Sequence, residues 1–272
     1  MNKFSKHVLI CKRRFKQKAV LKRLSGINNL ALKRVISAIT ETLSDSYSEQ
    51  DCKAFNRCEA YRKELLQDQT EINYRVFGSD KTAQVREICK KAPSSAIWCR
   101  FLFKLAIETE SRQILEIGTN LGISGSYILE ALKDLEGNLT TMEGLPQLCE
   151  IAENQFSKIS PNSRFRIIQG LYDDTFPGLL EEGKGFDLIF VDGNHKKEPT
   201  LHYFRALKSL MDQTAIFVFD DIYWSEEMTE AWQIIQNDPD VNFSIDLFMM
   251  GIAIIDKDES IKNSSFSLHM GY

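Results

Sequence analysis

Four short stretches carry residues whose type and spacing could do chemistry. The first is "ILEIGTNLGIS", Ile114 to Ser124, an apolar run with an acid, Glu116, just ahead of a turn bearing Gly118 and Gly122. Gly118 permits a sharp turn, and Gly122 permits a ligand to approach without a Cβ in the way. Thr119 and Ser124 stand in the same turn. The helix that begins there presents free N–H groups suited to a carboxylate or phosphate. The second is "TTMEG", where Glu143 falls 21 residues after Gly122 and is followed by Gly144. An acid at that register can accept hydrogen bonds from both hydroxyls of a ribose. The third is "FVDGNH", with Asp192 and, three residues on, His195. The fourth is "FVFDDI", with Asp220 and Asp221.

The glycine spacing is G-x-x-x-G, neither the G-x-G-x-x-G of dinucleotide sites nor a phosphate loop, since no G-K-[ST] follows. Glu116 would repel a pyrophosphate and attract a cation. S-adenosylmethionine (SAM) offers a sulfonium and an amino group for the acids and a carboxylate for the helix start, so the chemistry favours SAM over NAD. After a third apolar run, "QGLYDD" places Gly170 and Leu171 where they could frame an adenine.

Three carboxylates at neighbouring strand ends, Asp192, Asp220 and Asp221, repel one another unless something neutralises them. Oxygen ligands of this kind suit Mg²⁺, Mn²⁺ or Ca²⁺. The bland alternative is that Asp192 bonds the SAM amino group or caps a helix, and that the other two end a strand in solvent. His195 could remove a proton from an acceptor hydroxyl, or could only orient an aspartate; Lys196 or Lys197 could serve instead. Tyr223 and Trp224, directly after the aspartate pair, could wall an acceptor pocket or pack on other helices. Met228 and Trp232 have the spacing of a buried helix face.

These stretches need a sheet to bring them together. From 113 onward, short apolar runs alternate with amphipathic segments: 113–117, 139–142, 165–169, 186–191, 215–219, 243–248 and 252–255. Runs this apolar suit strands buried on both faces of a parallel sheet. Only "MMG" joins the last two, which fits an antiparallel hairpin. The predicted fold is α/β: a doubly wound, mostly parallel, Rossmann-like sheet of seven strands ending in an antiparallel hairpin, over residues 111–272. Residues 26–110 show helical periodicity and are expected as a helical extension packed on that core; "APSS" breaks it, and Ser94 or Ser95 could cap the next helix.

The chain has 272 residues, 43% hydrophobic and 26% charged, with a net charge of −4. Residues 1–25 hold nine Lys and Arg and no acid, leaving 25 basic against 38 acidic residues elsewhere. A basic head on an acidic body could touch nucleic acid or an anionic membrane; the plainer expectation is a solvated, partly helical segment. No apolar stretch approaches the ~20 residues of a membrane helix. Six scattered cysteines without a C-x-x-C pair suit reduced thiols in a cytoplasm.

"ILEIGTNLGISGSYI", "TMEG", "FDLIFVDGNHKKEPTLHYF" and "FVFDDIYWSEEMTEAW" together resemble class I SAM-dependent methyltransferases, on the bacterial branch near the catechol-type O-methyltransferases. The resemblance covers about 90–256, with a weaker echo in "VFGSDKTAQVREICKKAPSS". It implies the fold, SAM as methyl donor, and a divalent metal, Mg or Mn, at the places of Asp192, Asp220 and Asp221. The third ligand in such enzymes is an amide where this chain has Asp221, and their base is a lysine where it has His195. The expected activity is O-methylation of a small-molecule hydroxyl. A nucleic-acid methyltransferase is disfavoured by "VDGN", which stands where D/N-P-P-Y would be needed, and by the acidic body. A non-catalytic SAM-binding module is the remaining alternative, and a homodimer stays open.

Overall fold

The computed structural model describes residues 3–271; Met1, Asn2 and Tyr272, the outer ends of the segments 1–25 and 111–272, lie outside the described residues. The N-terminal third is helical: α1 (Lys3–Ser25), α2 (Leu30–Leu43) and α3 (Glu49–Leu65). Side chains fix their starts. Asn29 accepts from the Leu32 N–H at the start of α2, and Ser48 and Asp51 form a reciprocal capping box on α3. Two further helices, α4 (Val85–Lys91) and α5 (Ala96–Glu108), complete this region. Ser95 stands at the N-cap of α5, but its side chain makes no capping hydrogen bond.

Helical periodicity did not reveal everything here. A small antiparallel hairpin, β1 (Glu71–Asn73) with β2 (Thr82–Gln84), interrupts the helices, and the turn between its strands carries Arg75–Phe77. Each strand has three residues, too few to show an alternation. The hairpin is tied to the core through Gln147, whose Oε1 accepts from the backbone and side-chain nitrogens of Asn73 and whose Nε2 donates to the Glu71 carbonyl.

From residue 113 strands and helices alternate. The elements are β3 (Gln113–Ile117), α6 (Ile123–Ala131), β4 (Asn138–Glu143), α7 (Pro146–Ile159), β5 (Phe165–Gln169), α8 (Tyr172–Glu181) and β6 (Leu188–Val191). They continue with α9 (Lys197–Leu210), β7 (Thr214–Phe219), α10 (Glu226–Gln236), β8 (Phe243–Asp246), β9 (Gly251–Asp256) and β10 (Ser264–Ser267). The sheet order is β10-β8-β9-β7-β6-β3-β4-β5, with β9 antiparallel to both β7 and β8. The hairpin expected at the end of the chain is therefore present. The sheet has eight strands rather than seven: "SSFS" lacks an apolar run, yet it adds to the edge in parallel with β8, burying Phe266 alone.

Both faces of the sheet are covered. One carries α2, α3, α5 and α6 over Ile114, Phe190 and Ile254. The other carries α8, α9 and α10 over Leu115, Ile189 and Phe217. Alternate residues of each strand thus enter opposite cores, which is why these strands read as unbroken apolar runs. Met228 and Trp232 are buried in α10, as their spacing predicted.

The basic segment departs from expectation. α1 is not merely solvated: Arg13 is buried and bonds both carboxylate oxygens of Asp246, at 2.6 and 2.8 Å. The partners lie 233 positions apart in sequence, so no local pattern could announce the pair.

Candidate active site

Strand register assembles the site. Ile117 of β3 pairs with Met142 of β4 and Val191 of β6, and Val191 pairs with Phe219 of β7. The residues that follow, Gly118, Glu143, Asp192 and Asp220, therefore leave the sheet side by side at its carboxyl edge, where doubly wound sheets bind ligands. Backbone bonds hold the turns: the Asp192 N–H donates to the Ile117 carbonyl and the Asp220 N–H to that of Val191.

The glycine turn is built for backbone packing. Gly118 has φ +116°, and a Cβ on it would lie 2.5 Å from the Asp192 carbonyl oxygen. Gly122, the N-cap of α6, has φ +71°, and a Cβ there would meet Ala152 at 2.9 Å and Phe156 at 3.0 Å. The reading of Gly122 as room for a ligand is corrected: its bare Cα is used by α7. The first N–H groups of α6 receive no side-chain cap and face the strand ends.

Glu116 also differs from the sequence reading. It is wholly buried; Ser124 Oγ donates to its Oε1 at 2.5 Å and Thr141 Oγ1 to its Oε2 at 2.7 Å. Thr119 Oγ1 lies 2.6 Å from Thr141 Oγ1. Glu116, Thr119 and Ser124 thus brace the turn from beneath, with their side chains committed to one another. Burial raises the Glu116 pKa to about 7, against the pull of the two hydroxyls.

Glu143 sits at the mouth of the turn. Its Oε2 accepts from the Asn120 N–H at 2.8 Å and its Oε1 from the Leu145 N–H at 2.9 Å. Each oxygen keeps a further lone pair for a ligand hydroxyl. Burial raises its pKa, opposed by these backbone bonds. Beside it, a Cβ on Gly144 would lie 2.9 Å from the Phe77 ring and 3.7 Å from Leu171. Gly170, at the end of β5, has φ +142°, and its N–H donates to the Glu143 carbonyl. Phe77 is 53% exposed. Sequence reading missed it because it belongs to the short hairpin, and only the fold lays its ring over Gly144.

At the other end, the Asp192 and Asp220 carboxyls are near enough for each to shift the other's ionisation. Burial and the neighbouring acid raise Asp192 well above the usual range, and burial with Asp221 raises Asp220 to about 6. Asp221 occupies the left-handed region at φ +53°, unusual for a residue other than glycine and common at functional sites. His195 Nε2 lies 3.7 Å from Asp192 Oδ1. Burial lowers the His195 pKa, partly offset by Asp221, so the imidazole is mostly neutral at pH 7. Of the two alternative bases, Lys196 and Lys197, the latter is bonded to Glu230 at 2.8 Å.

The rim offers hard oxygen donors crowded enough to raise one another's pKa values, which fits a divalent cation in kind. Among the described residues no three His, Cys, Asp or Glu side chains are already gathered as a ligand set. A cation would thus have to draw the Asp192, Asp220 and Asp221 carboxylates closer together.

Residues 115–222 match the methyltransferase domain family. This stretch is a methyltransferase domain. It contains every candidate residue from Glu116 to Asp221. A catechol O-methyltransferase of Niastella koreensis is 33% identical over 124 residues, 45% of this chain and 55% of that protein, so the chain spans about half the length of this curated relative. Among solved structures, an O-methyltransferase from Bacillus cereus in complex with SAH superposes with TM-score 0.53 at 22% identity, over 61% of this chain and 84% of that one. TomG, an O-methyltransferase from Streptomyces achromogenes involved in tomaymycin synthesis and bound to SAM, gives 0.54 at 22%, over 78% and 91%. These structures share the α/β fold of the methyltransferase domain. No described helix is long and apolar enough to cross a membrane.

Proposed function

We propose that the protein transfers a methyl group from SAM to a hydroxyl oxygen of a small molecule. The observation that carries this reading is the register that sets Gly118, Glu143 and the Asp192–His195 pair side by side at one sheet edge. In this reading the uncapped start of α6 receives the SAM carboxylate. Glu143 accepts from the ribose hydroxyls. Gly144, Gly170 and Leu171 frame the adenine, and Phe77 covers it. Asp192 faces the amino group and sulfonium.

Bound SAM supplies a methyl group already activated on a positive sulfur. The acceptor oxygen's electron pair forms the new C–O bond as the C–S bond breaks, and the pair of that bond stays on sulfur. His195 Nε2, neutral before reaction, takes the hydroxyl proton. The remaining work is placement and exclusion of water, which the buried turn and rim provide.

A divalent cation, Mg²⁺ or Mn²⁺, belongs to the same proposal. Asp192, Asp220 and Asp221 would hold it, and it would supply positive charge to orient the acceptor oxygens. The six cysteines are all unpaired thiols, which supports a reducing compartment such as the cytoplasm.

Calorimetric titration with SAM, then a SAM-consumption screen of hydroxylated compounds with and without Mg²⁺, tests the reading. It requires SAM binding and turnover of at least one hydroxyl compound. A folded protein that binds neither SAM nor its demethylated product would sink it; binding without turnover of any compound would favour a non-catalytic module.

A further inference from the structure

The two sides of α1 differ in character. Its inner side holds it to the body: Ile10 and Leu24 are buried, Arg13 takes both carboxylate oxygens of Asp246, and Gln17 Oε1 accepts from the His269 N–H at 3.0 Å. The outer side is centred on Phe15, which is 90% exposed. Val8, two turns earlier, is 52% exposed. Cys11 and Ala19, four positions before and after Phe15, are exposed as well. Residues at that spacing share one side of a helix. A line of apolar side chains therefore runs along the outside of α1, open to solvent.

Cations border that line. Lys18 and Lys22 lie to one side of it and Lys12 and Lys16 to the other, and all four are exposed. None of the four is in an ion pair among the described residues. Lys12 and Lys16, with Arg23, also edge a groove of about 290 Å³ between α1 and β10, where Ser265 and Ser267 add hydroxyls and no acid lines the wall. The Arg23 guanidinium lies 5.2 Å from the centre of the Phe266 ring, which keeps it at the mouth of that groove. The opposite sign prevails elsewhere: residues 1–25 carry nine Lys and Arg without an acid, and the rest of the chain carries 25 basic against 38 acidic residues. An anionic surface therefore attracts α1 and repels the body, which selects one orientation.

We infer that the outer side of α1 docks the protein on an anionic lipid surface, with Phe15 and Val8 entering the boundary between headgroups and acyl chains and the flanking lysines and Arg23 meeting the lipid anions. The inference is independent of the methyltransferase reading. Apolar residues along the centre with lysines at both flanks are what a helix lying in a membrane interface presents, because the lysine stems reach outward to the headgroups. Charge alone would suit a nucleic acid equally well. The bare Phe15 ring amid the charges favours lipid, since a phosphate backbone gives it no apolar medium to enter. Each Lys or Arg brought to an anionic membrane strengthens binding about fivefold, and the attraction fades within a Debye length of about 10 Å at 0.1 M salt. The docking is peripheral, since no described helix is long and apolar enough to cross a membrane.

Co-sedimentation of the full chain with vesicles tests this, using phosphatidylcholine alone and phosphatidylcholine mixed with phosphatidylserine. The chain is expected to bind the mixed vesicles at low salt, to leave them at high salt, and to ignore phosphatidylcholine. Lys18→Glu combined with Lys22→Glu should weaken binding by about twenty-fivefold or more, two steps of the fivefold above. Phe15→Ser should weaken it about tenfold by withdrawing the buried ring. Lys63→Glu combined with Lys158→Glu makes the same change of charge at exposed positions on α3 and α7, and should leave binding intact. All these side chains are exposed, so circular dichroism and SAM affinity should match wild type in every variant. A chain that stays in solution with the mixed vesicles overturns the inference, as does an equal loss in the α3 and α7 variant. Wild-type binding by Phe15→Ser overturns the entry of the ring into lipid. Tight binding of a labelled single-stranded RNA by a chain that ignores both kinds of vesicle would assign α1 to nucleic acid instead.

Discussion

The backbone of Gly118 passes so near Asp192 that a Cβ would stand 2.5 Å from the Asp192 carbonyl oxygen. Two strand ends are thereby locked together, the one with the glycine turn and the one with the acidic rim. Gly118→Ala should destabilise the fold by about 2 kcal/mol or more, since it adds a clash to a backbone with φ +116°. Gly144→Ala should cost far less, because the atom it meets is the far end of the Phe77 side chain. Urea midpoints for the two variants check this contrast, and equal midpoints would contradict it.

Glu143→Ala is expected to weaken SAM binding about ten- to a hundredfold, the worth of a charge-assisted contact of roughly 1.5–3 kcal/mol. The bonds from Asn120 and Leu145 add an effect on the fold: two backbone donors lose their partner, and about 1–3 kcal/mol of stability should go with it. Calorimetry and denaturation on one preparation separate the effects. A variant with wild-type SAM affinity would place the ribose elsewhere.

Phe77→Ala should loosen SAM and leave the unfolding midpoint nearly unchanged, because the ring is half exposed and lies against Gly144 and beside the Tyr74 ring. Base–aromatic stacking is worth about 1–3 kcal/mol, so a fall of roughly fivefold or more is expected. Unaltered binding would leave the hairpin without a part in the cofactor site.

Glu116 makes stability depend on pH in an unusual direction for a carboxylate. Its folded pKa is raised to about 7, above the roughly 4.3 of an unfolded chain, so the folded state holds the proton between those values. Its contribution is full below about pH 4 and is lost as pH rises through about 7. Glu116→Gln should therefore flatten the decline of stability between pH 5 and 8, measured by urea denaturation. A variant that declines as steeply as wild type would rule out Glu116 as its source.

His195→Ala should lower the rate about 10²–10⁴-fold with SAM affinity intact, and should matter less as rising pH ionises the acceptor. The lowered pKa of His195 means that wild-type activity should persist somewhat below pH 6.5 before protonation removes the base. Activity should also fall in EDTA and return with Mg²⁺ or Mn²⁺, while SAM still binds. Full activity in EDTA, together with wild-type rates for Asp220→Asn and Asp221→Asn, would leave these aspartates as shapers of a metal-free pocket.

The order of strands and helices from 113 onward was legible in the sequence because both faces of the sheet are buried, so each strand announces itself as an apolar run. The glycine turn, Glu143 and the aspartates were legible because parallel strands all end at one edge, and a residue just past an apolar run must lie there. Side-chain direction was not legible. Glu116 and Ser124 look like ligand contacts in a line of letters, yet they turn beneath the loop and bond each other, because a buried carboxylate takes the nearest hydroxyls. Gly122 looks like space for a cofactor and is space for Phe156. The hairpin that carries Phe77 and the edge strand Ser264–Ser267 are too short or too polar to show a period; pairing with neighbours makes them strands. The basic N-terminus was visible as charge alone. That Arg13 leaves the solvated face to meet Asp246 was decided only by packing, since an ion pair across 233 positions has no signature until the chain has folded around it.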